Sequence, residues 1–363
     1  MNPGDALLGA IEAWTRDGRG LDDAEFDARA RALFAYQLER NPVYARFAAS
    51  LGFSSTNLPR DWREIPAVPS SAFKDATLAT FPIERAELLF HTSGTTAAQS
   101  GKHYVERAAL YDASLVAAFD RFMLPDRPRL RFLNLVPNPR FARHSSLGYM
   151  VGHLSVLRGG GPPAYFLDGD ALDVDAFIKA FEQEFALDRG VLLATTAFAL
   201  ASLLDALEAR GKRFTAPAGS RVMETGGFKG RAKVVAREEL YARTEAALGI
   251  PQPSIVAEYG MTELLSQYYD TPESRGRALR VKAGPPWLRT LVVDSAGVEV
   301  APGAIGFLRH VDLANVSSVL AVETEDRGYA VEGGFVLLGR ALDAPPRGCS
   351  LDAETLHARV AAR

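Results

Sequence analysis

Apolar positions recur at two different periods along the chain. Near the N-terminus Phe26, Ala30, Leu33, Phe34 and Leu38 fall at helical spacing, and Asn41-Pro42 then interrupts the run. Residues 63–82 carry Pro66, Pro69 and Pro82, which predicts an irregular connection. Beyond it, short strand-like runs at 87–90, 131–136, 164–167, 191–194, 221–223 and 254–257 alternate with amphipathic stripes. One stripe is Phe177, Ala180, Phe181 and Phe185, a second is Leu200, Leu203, Leu204 and Leu207, and Val234, Tyr241 and Leu248 mark a third. This rhythm predicts an α/β fold, a mostly parallel sheet flanked by helices. Gly159-Gly160-Gly161-Pro162-Pro163 reads as a helix stop and turn, because strand and helix patterns continue on both sides of it. From about residue 288 the pattern changes to short strands at 290–293 and 305–309 with a turn at Ser295-Ala296-Gly297. The chain therefore divides into a helical N-terminal segment (1–60), an α/β core (61–287), a small β-rich subdomain (288–340) and a tail (341–363). No repeat of fixed period stands out.

Ligands of open parallel sheets bind beyond the carboxyl ends of the strands, so the residues that follow each run are the candidates for chemistry. After Phe90 comes His91-Thr92-Ser93-Gly94-Thr95-Thr96, after Met223 comes Glu224-Thr225-Gly226-Gly227, and after Ala257 comes Glu258-Tyr259-Gly260-Met261-Thr262-Glu263. Three polar, glycine-containing turns are thus expected at one edge of the sheet. The first offers hydroxyls and backbone N–H groups to a polyphosphate. It is no P-loop, because six residues separate Gly94 from Gly101-Lys102 and His103 follows where Ser or Thr belongs. The third offers an aromatic ring, a hydroxyl and a carboxylate suited to Mg²⁺. The first and third turns also have a plainer reading, a solvated loop for the first and a helix N-cap at Thr262 or Glu263 for the third.

Composition narrows the classes. The 363 residues are 47% hydrophobic and 23% charged, which excludes a disordered or collagen-like chain. Lys plus Arg number 41 against 44 Asp plus Glu, so no basic excess calls for nucleic acid. Asp5 and Glu12 break a secretory signal, and the apolar run between Arg189 and Asp205 is too short to span a membrane. A soluble, cytoplasmic protein is expected. Cys349 is the only cysteine, which excludes an internal disulfide and any multi-cysteine metal site. The six His form no HExxH pair and no GxSxG elbow is present. His91 and His144 each read as a base or orienting group, or as ordinary polar residues at element ends.

Two of the turns resemble signatures of the adenylate-forming (ANL) superfamily. His91-Thr92-Ser93-Gly94-Thr95-Thr96 is similar to its phosphate-binding TSGTTG, and Tyr259-Gly260-Met261-Thr262-Glu263 to its YGxTE. Gly303-Ala304-Ile305-Gly306-Phe307-Leu308, Glu325-Asp326 and Gly339-Arg340 follow in the order of the later motifs, so the likeness covers roughly residues 60–350. Ala97 stands where Gly is usual and Gln99-Ser100 where Pro-Lys is usual. The chain ends about where the superfamily's mobile C-terminal domain would begin, and the last lysine is Lys282, so that domain's catalytic lysine has no expected counterpart. Ser145-Ser146-Leu147-Gly148-Tyr149-Met150, Glu224-Thr225-Gly226-Gly227-Phe228-Lys229 and Arg347-Gly348-Cys349-Ser350 resemble the acyl-protein synthetase (LuxE) family of long-chain-fatty-acid-protein ligases.

The resemblance implies ATP and Mg²⁺ as cofactors and a fatty or other carboxylic acid as substrate. Thr92, Ser93, Gly94, Thr95 and Thr96 would hold the outer phosphates, Thr262 the α-phosphate and Glu263 the Mg²⁺. Tyr259 would stack on adenine, Gly226 and Gly227 would admit the base, Asp326 would accept from the ribose, and Arg340 would face ribose or phosphate. Cys349, beside Arg347 and Gly348, would take the acyl group as a thioester and pass it to an acyl reductase, acyltransferase or carrier protein. Two other readings stay open, a free-standing adenylating enzyme serving CoA, a carrier protein or a partner enzyme, and a non-catalytic nucleotide-binding subunit. Tyr149, Met150, Phe166 and Phe198 are candidates for the acid pocket or for plain core packing.

Overall fold

The computed structural model describes residues 3–92, 100–126, 129–169, 171–226 and 235–340. Three helices come first: α1 (Pro3–Asp17), α2 (Asp23–Arg40) and α3 (Pro42–Ser50). A capping box between Asp22 and Glu25 starts α2. Asn41 ends it and starts α3, its N–H bonded to the Gln37 carbonyl and its side chain accepting from the Tyr44 N–H, with Pro42 in the first turn. Next come β1 (Val68–Pro69), α4 (Ala72–Asp75), β2 (Leu88–His91), β3 (Lys102–Val105) and α5 (Ala108–Met123). The alternating region follows as β4 (Arg131–Leu135), α6 (Ser146–Arg158), β5 (Ala164–Tyr165), β6 (Leu167–Asp168), β7 (Ala171–Leu172), α7 (Val174–Ala186), β8 (Val191–Thr196), α8 (Ala197–Ala209), β9 (Arg221–Thr225), α9 (Arg237–Leu248) and β10 (Ile255–Tyr259). The chain closes with β11 (Tyr268–Asp270), β12 (Val281–Ala283), β13 (Leu288–Val293), β14 (Gly306–Asp312), β15 (Ala321–Val331) and β16 (Gly334–Arg340).

These elements fall into two compact units. One takes Phe119–Gly260 and Tyr268–Lys282 and contains the parallel sheet. Its strands lie in the order β11-β10-β9-β8-β4-β5, parallel from β10 to β5, with β11 antiparallel to β10. Nearly every residue of β8, β9 and β10 is buried, as expected of parallel strands covered on both faces. The core beside them is built from Leu133, Phe177, Phe181, Leu193, Leu200, Leu203, Leu207, Val222, Tyr241 and Ile255, which are the predicted stripes and runs meeting. Phe185, assigned to the same stripe, is exposed. Gly159 caps α6, and a Cβ there would sit 2.2 Å from the Ser155 carbonyl, so the glycine run is the helix stop expected.

The other unit takes Met1–Ala118, Met261–Gln267 and Ala283–Arg363. It holds the antiparallel meander β13-β14-β15-β16, with β1 added parallel to β15, and a separate hairpin of β2 and β3. The hairpin corrects one expectation. The run at 87–90 forms a strand, but it pairs antiparallel with β3 and lies outside the parallel sheet, so the first polar turn leaves a hairpin instead of a sheet edge. Its half-exposed pattern fits such a strand, since a central parallel strand is covered on both faces. The run at 164–167 likewise breaks into β5 and β6. No described helix is long and apolar enough to cross a membrane.

Candidate functional site

The hydroxyl-rich stretch leaves the β2–β3 hairpin through a narrow neck. The Thr92 N–H donates to the Gly101 carbonyl at 2.9 Å, and the Gly101 N–H donates to Thr92 Oγ1 at 2.7 Å. Thr92 is buried, with its hydroxyl oxygen engaged in this neck. A Cβ on Gly101 would lie 3.0 Å from the Phe73 backbone carbon and oxygen and 3.0 Å from Thr92 Cγ2, so a side chain there would have to push these neighbours back by a few tenths of an ångström. Ser93, Gly94, Thr95 and Thr96 lie outside the described residues, as do Gly227 and Cys349.

The turn carrying Thr262 and Glu263 belongs to the same unit, and no helix follows it, so the N-cap reading falls away. Its backbone is held instead by buried side chains from distant segments. His103 Nδ1 bonds the Thr262 carbonyl at 2.7 Å, and Asn315 Nδ2 donates to the Glu263 carbonyl at 2.8 Å. The Leu265 N–H donates to Asp312 Oδ2 and Asn315 Oδ1, both at 3.0 Å, and the Ser266 hydroxyl donates to Asp312 Oδ1 at 2.8 Å. Thr262 Oγ1 lies 3.5 Å from the His91 carbonyl oxygen. Burial pushes the Asp312 carboxyl up to about 6, against the pull of the Ala314 N–H, the Ser266 hydroxyl and the Leu265 N–H. In this unit Asp326 and Arg340 are cross-strand partners on β15 and β16, with Arg340 Nε 3.4 Å from Asp326 Oδ1. Two residues predicted from separate motifs are thus neighbours.

In the parallel-sheet unit, Thr225 donates to the Glu258 carboxylate across the β9–β10 pair. Tyr241 donates to Glu224 Oε2 at 3.1 Å. Glu224 is buried, and burial raises its pKa to about 7 against the opposing charge of Lys282 and the Tyr241 bond. Gly226 ends the strand at φ 70°, the left-handed region that glycine enters without strain. Tyr259 is buried with its ring centroid 5.9 Å from that of Tyr268.

No family model matches the chain. It is similar to the long-chain-fatty-acid–luciferin-component ligase of Vibrio harveyi, 21% identical over 309 residues, which cover 83% of this chain and 78% of the relative. Its fold is similar to 2-hydroxyisobutyryl-CoA ligase solved in the postadenylation state with 2-HIB-AMP, at TM-score 0.66 and 16% identity over 93% of this chain and 74% of the ligase. The fold is that of the adenylate-forming enzymes. ATP-bound MatB from Rhodopseudomonas palustris matches at TM-score 0.53 and 16% identity, over 72% of this chain and 49% of MatB.

Within this adenylate-forming fold, Lys282 is buried and committed. Its Nζ lies 2.9 Å from Asp270 Oδ1 and donates to the Ala257 carbonyl at 2.6 Å. Asp270 Oδ2 accepts from the Ala257 N–H at 2.9 Å and pairs with Arg280 at 3.2 Å. The three charges brace β10 at Ala257, just before Tyr259, so Lys282 is a strut of the sheet. Sequence reasoning missed this cluster, along with His103, Asp312 and Asn315, because single polar residues among apolar ones carry no local motif. Among the described residues no three His, Cys, Asp or Glu side chains gather to hold a metal. A single carboxylate such as that of Glu263 fits Mg²⁺ that arrives on nucleotide phosphates, since this ion typically takes only one or two protein carboxylates.

Proposed function

We propose that the protein is an ATP-dependent, AMP-forming acid ligase that activates a fatty acid as acyl-AMP and captures the acyl group on Cys349 as a thioester. The observation that supports this reading most is the joining of two signatures. The segment that closes the hydroxyl-rich stretch is hydrogen-bonded, through His103, to the turn bearing Thr262 and Glu263, 159 residues away. The Vibrio harveyi relative, named for a long-chain fatty acid, supports the substrate class, and ATP-bound MatB supports the nucleotide.

In the first step a carboxylate oxygen attacks the α-phosphorus of ATP, and the bond to pyrophosphate breaks. Little covalent chemistry is asked of the protein here, which must position the reactants and balance charge. In this reading the stretch from Thr92 to Thr96 holds the outer phosphates, Thr262 the α-phosphate and Glu263 the Mg²⁺, which supplies charge neutralisation when bound. Gly226, Gly227 and Tyr259 receive the adenine, and the Asp326–Arg340 pair meets the ribose. In the second step the Cys349 thiolate attacks the acyl carbonyl and AMP leaves. A thiolate suits this role because it is strongly nucleophilic even at a few per cent population.

The test is to follow pyrophosphate release with Mg-ATP and a panel of fatty and aromatic acids, and to weigh the intact protein with and without Cys349→Ser. An acyl adduct that hydroxylamine removes, and that the variant lacks while still releasing pyrophosphate, is the expected outcome. Release without an adduct points to CoA or another external acceptor and sinks the Cys349 step. No release with any acid overturns the ligase reading.

A further inference from the structure

His103 entered the sequence reading only as the residue that spoils a P-loop. It lies on β3 two positions beyond the Gly101 neck, and the alternation of that strand turns it inward with Val105 while Lys102 faces out. Its imidazole is fully buried, with the Phe73 ring steeply inclined to it at a centroid distance of 5.4 Å. Both nitrogens are used. A carbonyl can only accept, so the 2.7 Å contact with the Thr262 carbonyl requires a proton on Nδ1. Nε2 of the neutral ring then accepts from the Ser318 hydroxyl at 2.9 Å. Ser318 is fixed in turn, its carbonyl accepting from Asn41 Nδ2 at 3.3 Å. Burial holds the imidazole neutral, its pKa lowered to about 4. Within one unit the α2–α3 junction thus holds the Ser318 backbone, the Ser318 hydroxyl holds His103, and His103 holds the turn carrying Thr262.

We propose that His103, as the Nδ1–H tautomer, is a positioning residue that sets the Thr262–Glu263 turn in register with the neck of the hydroxyl-rich stretch, so that both grip one ATP. The proposal rests on the acid-activating reading above and gives it a residue that no motif supplies. His103 touches no reactant. It acts through the Thr262 backbone, and a displacement of about 1 Å at such a place costs up to about a hundredfold in rate.

Three variants and one spectrum test it. His103→Leu keeps the apolar bulk and loses both bonds. In His103→Asn the side-chain Nδ2 stands near the place of Nδ1 and still donates to the Thr262 carbonyl. Ser318→Ala removes only the outer bond. Acid-dependent pyrophosphate release by His103→Leu should fall in kcat by roughly ten- to a hundredfold with KM for the acid unchanged. His103→Asn should recover most of the loss, and Ser318→Ala should lie between it and the leucine variant. Thermal unfolding of each variant separates these effects from failure to fold, and if the leucine variant does not fold the asparagine and serine variants decide. Nitrogen spectra of histidine-labelled protein, assigned by the signal missing in His103→Asn, should show a protonated Nδ1 and a bare Nε2. A folded leucine variant at wild-type rate overturns the proposal, as do equal losses in the leucine and asparagine variants or a proton found on Nε2. Wild-type protein that releases no pyrophosphate overturns the parent reading and with it the catalytic claim for His103, whereas the first three results overturn the proposal alone.

Discussion

Glu224 shows what burial does to a single residue here. Its carboxyl sits in the sheet with Tyr241 as donor, and its pKa is raised from 4.5 to about 7 by burial more than Lys282 and Tyr241 can lower it. The unfolded chain releases this proton near 4.5 while the folded protein keeps it to about 7, so between those values the folded state binds more protons and stability falls as pH rises. Above about 7 the cost is complete. Glu224→Gln keeps an acceptor for Tyr241 and removes the titration, so its stability relative to wild type should grow by about 3 kcal/mol between pH 4.5 and 7. Denaturant unfolding at several pH values measures this, and parallel curves for the two proteins would refute it. The sequence shows Glu224 only as a polar residue after a strand. Its environment depends on Tyr241 from α9 and Lys282 from β12, which no local pattern connects to it.

At the scale of elements, the hairpin neck is the critical joint. Gly101 touches the backbone of α4 and the side chain of Thr92, and backbone atoms cannot swing aside as a flexible side chain can. Gly101→Ala should therefore destabilise the protein by about 1–3 kcal/mol, as overpacking does, and depress ATP-dependent turnover more than an alanine at an exposed glycine such as Gly9. Denaturant midpoints and pyrophosphate release measured on both variants check this, and equal effects would show that the neck does not matter. The helices and parallel strands were legible because each repeats a period of burial along several turns or residues. The hairpin was not placed correctly because a run of four residues reads the same whichever neighbour it pairs with.

For the whole molecule the expected consequence of the proposed function is ligand-linked stability. If Mg-ATP binds the folded chain alone, it should add about 2.7 kcal/mol at a hundredfold excess over its dissociation constant. Thermal unfolding with Mg-ATP against Mg-GTP measures the shift, and an unmoved transition with Mg-ATP refutes nucleotide binding. The residues that organise the turn at Thr262 come from 103, 312 and 315, and Gln37 joins them by donating to the Asn315 carbonyl at 2.7 Å and accepting from the Leu320 N–H at 3.0 Å.

The sequence by itself determined the elements, the class of fold, and the two signatures that name a candidate chemistry, because periodicity and short motifs are local properties of a chain. It also set Cys349 apart as the only thiol. Tertiary structure alone decided that Asp326 meets Arg340, that Lys282 braces a strand, and that His103 holds Thr262. His103 and Lys282 are buried polar groups that must find a partner, and the partner is chosen by which distant backbone carbonyl the fold brings within 3 Å, whereas Asp326 and Arg340 meet because the β15–β16 register sets them opposite each other.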